Sequence, residues 1–180
     1  NISGLIFGHN VWESYQSPDT ISMKTEGFIN EFPFIKQNMN KLELADAVLK
    51  LKQTGKSKGE ISSKANQLIG NLLYNTSVLG YYREVFVMDT DNSNGVKYYF
   101  GNDESPFRYY YKNYGSNVFI KPDNFDLSIQ YYSNALQNSG DKEQKARILF
   151  QMASAEQGKY YQWEARQPSV SYDDKNWEHK

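Results

Sequence analysis

Residues 60–79 read EISSKANQLIGNLLYNTSVL, and this stretch decides the fold. Ala65, Leu68, Ile69, Leu72, Leu73 and Thr76 recur at spacings of three and four, which is the signature of one face of an α-helix. Gly70 lies inside the pattern. Glycine in a helix interior costs about 1 kcal/mol against alanine. Its place here predicts a close approach by a neighbouring helix, where any Cβ would push the partner away. Gly80 ends the segment.

Working outward, the same periodicity predicts further helices. Asn40 to Gln53 is one, with Asn40 as N-cap and Glu43 at the reciprocal position of a capping box. Leu42, Ala45, Val48, Leu49 and Lys52 trace its face, and Leu44, Ala47 and Leu51 widen the stripe. Thr54-Gly55 closes it, with Gly55 suited to a left-handed cap. Asn124 to Asn138 is another, capped by Asp123 or Asn124 and stopped at Ser139-Gly140. Leu127, Tyr131 and Ala135 give one stripe, and Ile129, Tyr132 and Leu136 an adjoining one. Asp141 then caps a fourth helix, with Gln144 at the capping-box position. Ala146, Leu149, Phe150, Ala153 and Gln157 form its predicted face, thickened by Ile148, Met152 and Ala155. Gly158 follows, and a fifth helix is expected near Tyr161.

The remaining segments break this pattern. In residues 1–36, Leu5, Ile6, Phe7, Val11, Trp12 and Tyr15 suggest a short apolar helix ahead of Pro18. Phe28, Ile29, Phe32, Phe34 and Ile35 read as an aromatic plug docked on the helices, with Pro33 fixing an extended turn. Residues 81–121 hold a strong turn signal, DNSNG at 91–95, flanked by the runs 85–88 and 96–100. These runs suit either a short hairpin or a continuation of the preceding helix. The expected organisation is an irregular aromatic lead-in over 1–36, a helical domain over 37–165 with an insertion at 81–121, and a polar tail over 166–180.

Bulk properties exclude several function classes. Twenty basic and twenty-one acidic side chains nearly cancel, so no electrostatic footprint for nucleic acid or an anionic membrane is present. The densest basic group, Lys50, Lys52, Lys56 and Lys58, falls at a helix end, where cations complement the dipole. There is no cysteine, which excludes disulfides, thiolate nucleophiles and Cys-type zinc sites. That absence fits an envelope or secreted protein of a bacterium that avoids Cys. No apolar run approaches the roughly 18 residues of a membrane span. The chain opens on Asn1, and its end is polar around Trp177. Both ends therefore read as cuts within a longer chain.

Two helical motifs carry a family resemblance. AxxxIGxxLY at 65–74, and YYxxAL at 131–136 followed by AxxLFxMA at 146–153, resemble the paired helices of tetratricopeptide-type repeats. In those repeats a small residue of one helix packs against an aromatic and an alanine of its partner. The resemblance covers 60–161, and the segment 81–121 departs from the short turn of the family. NKLELA at 40–45 and DKEQKA at 141–146 are similar to stretches of large helical-repeat envelope proteins of Bacteroidota. The resemblance implies a mainly α fold, a solenoid fragment of stacked antiparallel helix hairpins with an aromatic-rich insertion. It also implies an adaptor role and residence in the periplasm or at the outer-membrane surface.

Catalytic constellations are poor. His9 and His179 lie near opposite ends, too isolated for a zinc site or a nucleophilic triad. No Gly-rich loop leads into Lys-Ser/Thr at a helix start, so no P-loop is present. Glu43 and Asp46 read as a solvated pair beside Lys50 rather than as an acid/base couple. Asp89, Asp91, Ser93 and Gly95 mimic the start of a calcium loop, but the glycine comes one position late and Phe100 stands where a bidentate Glu belongs.

The aromatic insertion is the richest segment. Tyr is used 15 times in the chain, and Tyr98, Tyr99, Phe107, Tyr109, Tyr110, Tyr111 and Tyr114 concentrate here. They suit a cap over the helices, the core of a small subdomain, or a partner surface, since tyrosine is enriched at interface anchors. The expected function is a non-enzymatic protein–protein interaction or scaffolding module within a larger envelope-associated protein, with no cofactor and no metal. Its partner would be another protein or another part of the same chain. The alternative is a surface glycan- or nutrient-binding protein on the same helical scaffold.

Overall fold

The computed structural model describes residues 1–8, 27–77, 80, 82, 85 and 124–166, the last six as helix backbone alone. Four helices dominate: α1 (Lys41–Thr54), α2 (Glu60–Asn75), α3 (Asn124–Asn138) and α4 (Lys142–Arg166). Two short strands, β1 (Ile2–Ser3) and β2 (Asn38–Met39), pair antiparallel, with Ile2 opposite Met39. Asn1–Met88 with Pro122–Lys159 form one compact unit. Asp89–Lys121 with Tyr160–Lys180 form a second, of which the C-terminal turns of α4 are described.

The helix α2 is central and buried nearly all round. Ala65, Leu68, Ile69 and Leu72 lie in the core as their spacing predicts. The helix ends at Asn75, four residues short of the expected Leu79, and its last carbonyls turn to local partners. The Thr76 N–H and hydroxyl both donate to Leu72 O, and Gly80 N donates to Ser77 O. The prediction for Gly70 holds. A Cβ there would sit 2.5 Å from Tyr132 Cε1 of α3, closer than real Cβ contacts allow. Small groups line the rest of the α2–α3 seam. Ser128 donates to Gly70 O (2.8 Å) and Ser63 to Ala135 O (2.7 Å), so each hydroxyl ties one helix to the backbone of the other. At the far end Asn124 donates to Thr76 O (3.1 Å), which makes α2 and α3 an antiparallel pair.

Around α1 the capping box forms in full, with Asn40 Oδ1 accepting from Glu43 N and Glu43 Oε2 from Asn40 N, both at 2.9 Å. The face traced by Leu42, Ala45, Val48, Leu49 and Lys52 is not the buried one: all but the half-buried Val48 are exposed, and only the residues expected to widen the stripe are buried. Leu44, Ala47 and Leu51 enter the core, whereas Leu42 is 79% and Leu49 66% exposed. Gly55 is right-handed (φ −63°), against the left-handed cap expected of it. The left-handed glycine is Gly59 (φ 84°), at the N-cap of α2. Gly55 is instead kept small by the Asn66 amide, 3.0 Å from where a Cβ would stand. Asn66 and Ser62 both donate to the Gly55 carbonyl and close the α1–α2 turn.

The lead-in packs on this frame. Gly4–Phe7 form a 3-10 turn whose Ile6 and Phe7 are fully buried. Phe28, Ile29, Phe34 and Ile35 pack partly buried against the core and Phe32 enters it, as the aromatic-plug reading anticipated. Pro33 sits in a turn closed by Ile35 N donating to Phe32 O (2.9 Å). Val11, Trp12 and Tyr15 and the expected hairpin around 91–95 lie outside the described residues.

Candidate interaction surface

Helix α4 is oriented against expectation. Ala146, Leu149, Phe150, Ala153 and Gln157 were the predicted buried face, but all are exposed, with Leu149 at 52% and Phe150 at 55%. The buried positions are Gln144, Ile148, Gln151, Ala155 and Gly158, spaced four, three, four and three. Gly158 does not end the helix. It lies within α4, where the Phe125 ring occupies the place a Cβ would need. The expected separate fifth helix is the continuation of α4 to Arg166.

Hydrogen bonding explains the orientation. Gln144 Nε2 donates to Ser63 Oγ and to Gln67 Oε1, both at 3.1 Å, and Gln67 Nε2 donates to Gln151 Oε1 at 3.2 Å. Ser139 Oγ donates to Gln144 Oε1 (3.4 Å). A buried amide without partners costs about 1–3 kcal/mol, so the glutamines of α4 sit where α2 offers matching groups. Gln144 is therefore a seam residue and not the second half of a capping box. Asp141 caps α4 alone, its Oδ1 accepting from Glu143 N (2.9 Å). The helix end is also tied to α2 by Glu60, whose carboxylate accepts from Gly140 N.

The result is a helix whose greasier side faces outward. Leu149 and Phe150 lie between Ala146 and Ala153, residues one heptad apart. Charges of both signs lie elsewhere along the helix. Arg147 pairs with Glu143 (3.3 Å), and Lys159 bridges Asp126 (2.6 Å) and Glu156 (3.6 Å). The hydrogen bond to Asp126, ahead of the other contacts, raises the Lys159 ammonium above its ordinary pKa. The mixture of signs gives the surface no preference for an anionic or a cationic partner. A smaller exposed stripe, Leu42, Ala45 and Leu49, runs along α1.

Glu43 and Asp46 face water, paired with Lys36 and Lys50 at 2.7 Å each, as expected of a solvated pair. Tyr98, Tyr99, Phe107, Tyr109, Tyr110, Tyr111 and Tyr114 lie outside the described residues, as do His9, His179 and the Asp89–Gly95 turn. Among the described residues no cluster of His, Asp or Glu is arranged to hold a metal. Among them, too, no helix is long and apolar enough to cross a membrane. The outward face of α4 is hidden in the sequence because its stripe has the same period as a core stripe. The signal that identifies the inner face is the Gln144, Gln151 and Gly158 series, polar and small, which matches Ser63 and Gln67 on α2. No family model, curated protein or solved structure matches the chain.

Proposed function

We propose that the chain is a non-enzymatic protein–protein interaction or scaffolding module, part of a larger envelope-associated protein, with the outward face of α4 as its contact surface. The observation that carries this reading is the inverted helix, which buries Gln144 and Gln151 and leaves Leu149 and Phe150 in water. Two adjacent large apolar side chains, set between alanines one heptad apart, suit a partner helix laid along α4. Ala146 and Ala153, flanking them, let that helix approach closely. Affinity would come from burying Phe150 and Leu149, with the mixed charges as a polar rim. The packing of Tyr132 on Gly70 supports the repeat-like part of the reading, since it sets an aromatic of one helix against a small residue of the other. On composition alone, Tyr109, Tyr110, Tyr111 and Tyr114 are further candidate anchors.

The test is site-specific photo-crosslinking in the full chain. A crosslinker at Ala153, on the face, is expected to give one stoichiometric adduct, and a crosslinker at Lys56, in the exposed turn after α1, a weak one or none. Leu149→Glu with Phe150→Glu should abolish that adduct while the helix signal in circular dichroism stays unchanged. An adduct indifferent to the double substitution would sink the proposal.

A further inference from the structure

The site that stands apart from the α4 face is the seat of the segment Ile2–Gly8. Its main chain is received by side chains of α2. Asn71 Nδ2 donates to Phe7 O (2.8 Å), and Asn75 Nδ2 donates to both Ile6 O (2.9 Å) and Gly8 O (2.7 Å). Three successive carbonyls are thus taken by two amides one helical turn apart on α2, both buried. The Asn71 amide is oriented by Tyr132, whose hydroxyl donates to its Oδ1 (2.9 Å). Upstream, the segment adds to β2 as a strand, extended by Gly4 N donating to Gln37 O (3.0 Å). Strand addition with side-chain pockets is one established mode of binding an extended peptide. Here the pockets take Ile6 and Phe7, both fully buried. Gly4 is obligatory, because a Cβ would stand 2.6 Å from Lys36 O. One group in the site is unmet by its present occupant. Asn75 Oδ1 is buried without a hydrogen-bond partner.

We propose that Asn71 and Asn75, with the Ile6 and Phe7 pockets and the β2 edge, form a binding site for an extended peptide. Its ligand carries the pattern Gly-x-Ile-Phe-Gly, and the chain's own segment Ile2–Gly8 is the intramolecular occupant. The amides read main chain, and specificity rests on the glycine and the two apolar side chains. A peptide offering an additional N–H to Asn75 Oδ1 would bind better than the resident segment.

The test uses the full chain and a labelled peptide, Asn-Ile-Ser-Gly-Leu-Ile-Phe-Gly, followed by fluorescence anisotropy. The resident segment competes at high effective concentration, so the native chain binds weakly. Gly4→Val in the chain dislodges the resident segment without touching α2 and should tighten peptide binding about tenfold or more. Ile6→Ala in the chain should act in the same direction. Adding Asn75→Leu to Gly4→Val should remove the gain. A peptide with Phe7→Leu should still bind and a peptide with Gly4→Val should not, a contrast that does not depend on how any protein variant folds. Equal binding by the native and Gly4→Val chains, or none by either, overturns the proposal. So does binding indifferent to the glycine of the peptide.

Discussion

The central helix and the two rim helices use the same kinds of residue in opposite ways. α2 buries nearly every side chain, including Ser63, Asn66, Gln67, Asn71 and Asn75, and finds partners for them on α3, α4, the α1 turn and the N-terminal segment. α1 and α4 each bury one narrow face and leave leucines and a phenylalanine in water. The difference shows that hydrophobicity alone does not orient a helix in this protein. Apolar burial is worth about 25 cal/mol per Å², but it is non-directional. A buried glutamine is satisfied in only one orientation. On α4 the match of Gln144 and Gln151 to Ser63 and Gln67 therefore selects the face, and Leu149 and Phe150 follow outward.

The largest contrast is expected between truncations on the two faces of α4. Ile148→Ala should destabilise by about 2–5 kcal/mol, the range for a buried large-to-small change. Phe150→Ala, two residues on, should stay within about 0.5 kcal/mol. Urea unfolding followed by circular dichroism measures both, and equal losses would place Phe150 in a core. Next in size, Gly70→Val forces a branched side chain into the Tyr132 ring and should cost about 1–3 kcal/mol. A neutral result in the same assay would mean that α2 and α3 are not in close contact at that point. On the rim, Asn40→Ala removes the side chain that caps α1 and should cost about 1 kcal/mol.

The smallest effect concerns pH. The Lys36 hydrogen bond, followed by the Asn40 N–H, holds the Glu43 carboxyl below its ordinary pKa. A depressed folded pKa contributes stability above the unfolded value and loses it as pH falls through the folded value. Both side chains of the pair are open to solvent, so the contribution is slight. Glu43→Gln keeps a capping-box residue while deleting the charge, and should flatten a shallow acid-side decline in melting temperature without shifting the neutral-pH value appreciably. A large shift at neutral pH would assign the pair more weight than a rim contact can carry.

Much of the frame was legible from residue order. The capping box at Asn40 and Glu43, the close approach at Gly70 and the bounds of α3 at Asn124 and Asn138 each rest on local chemistry or period. The errors share one cause. Leu42 and Leu49 on α1, and Ala146, Leu149 and Phe150 on α4, lie on stripes as periodic as the buried ones. A period tells which residues share a face, and it does not tell which face meets a neighbour. Gly55 and Gly158 misled for a related reason. Each is small because a side chain from elsewhere, Asn66 or Phe125, fills its Cβ space; Gly55 ends α1 as expected but without the left-handed conformation, and Gly158 ends nothing.

Period and local chemistry were enough to read a helical chain, the course of α1, α2 and α3 to about a turn, and the residue that caps α1. These are short-range matters of backbone preference and side-chain reach. That α4 turns its glutamines inward, and that Asn71 and Asn75 hold the carbonyls of Ile6, Phe7 and Gly8, depends on contacts between distant segments. Such pairings join residues more than sixty positions apart. A buried amide has no favoured direction until folding brings its partner within reach.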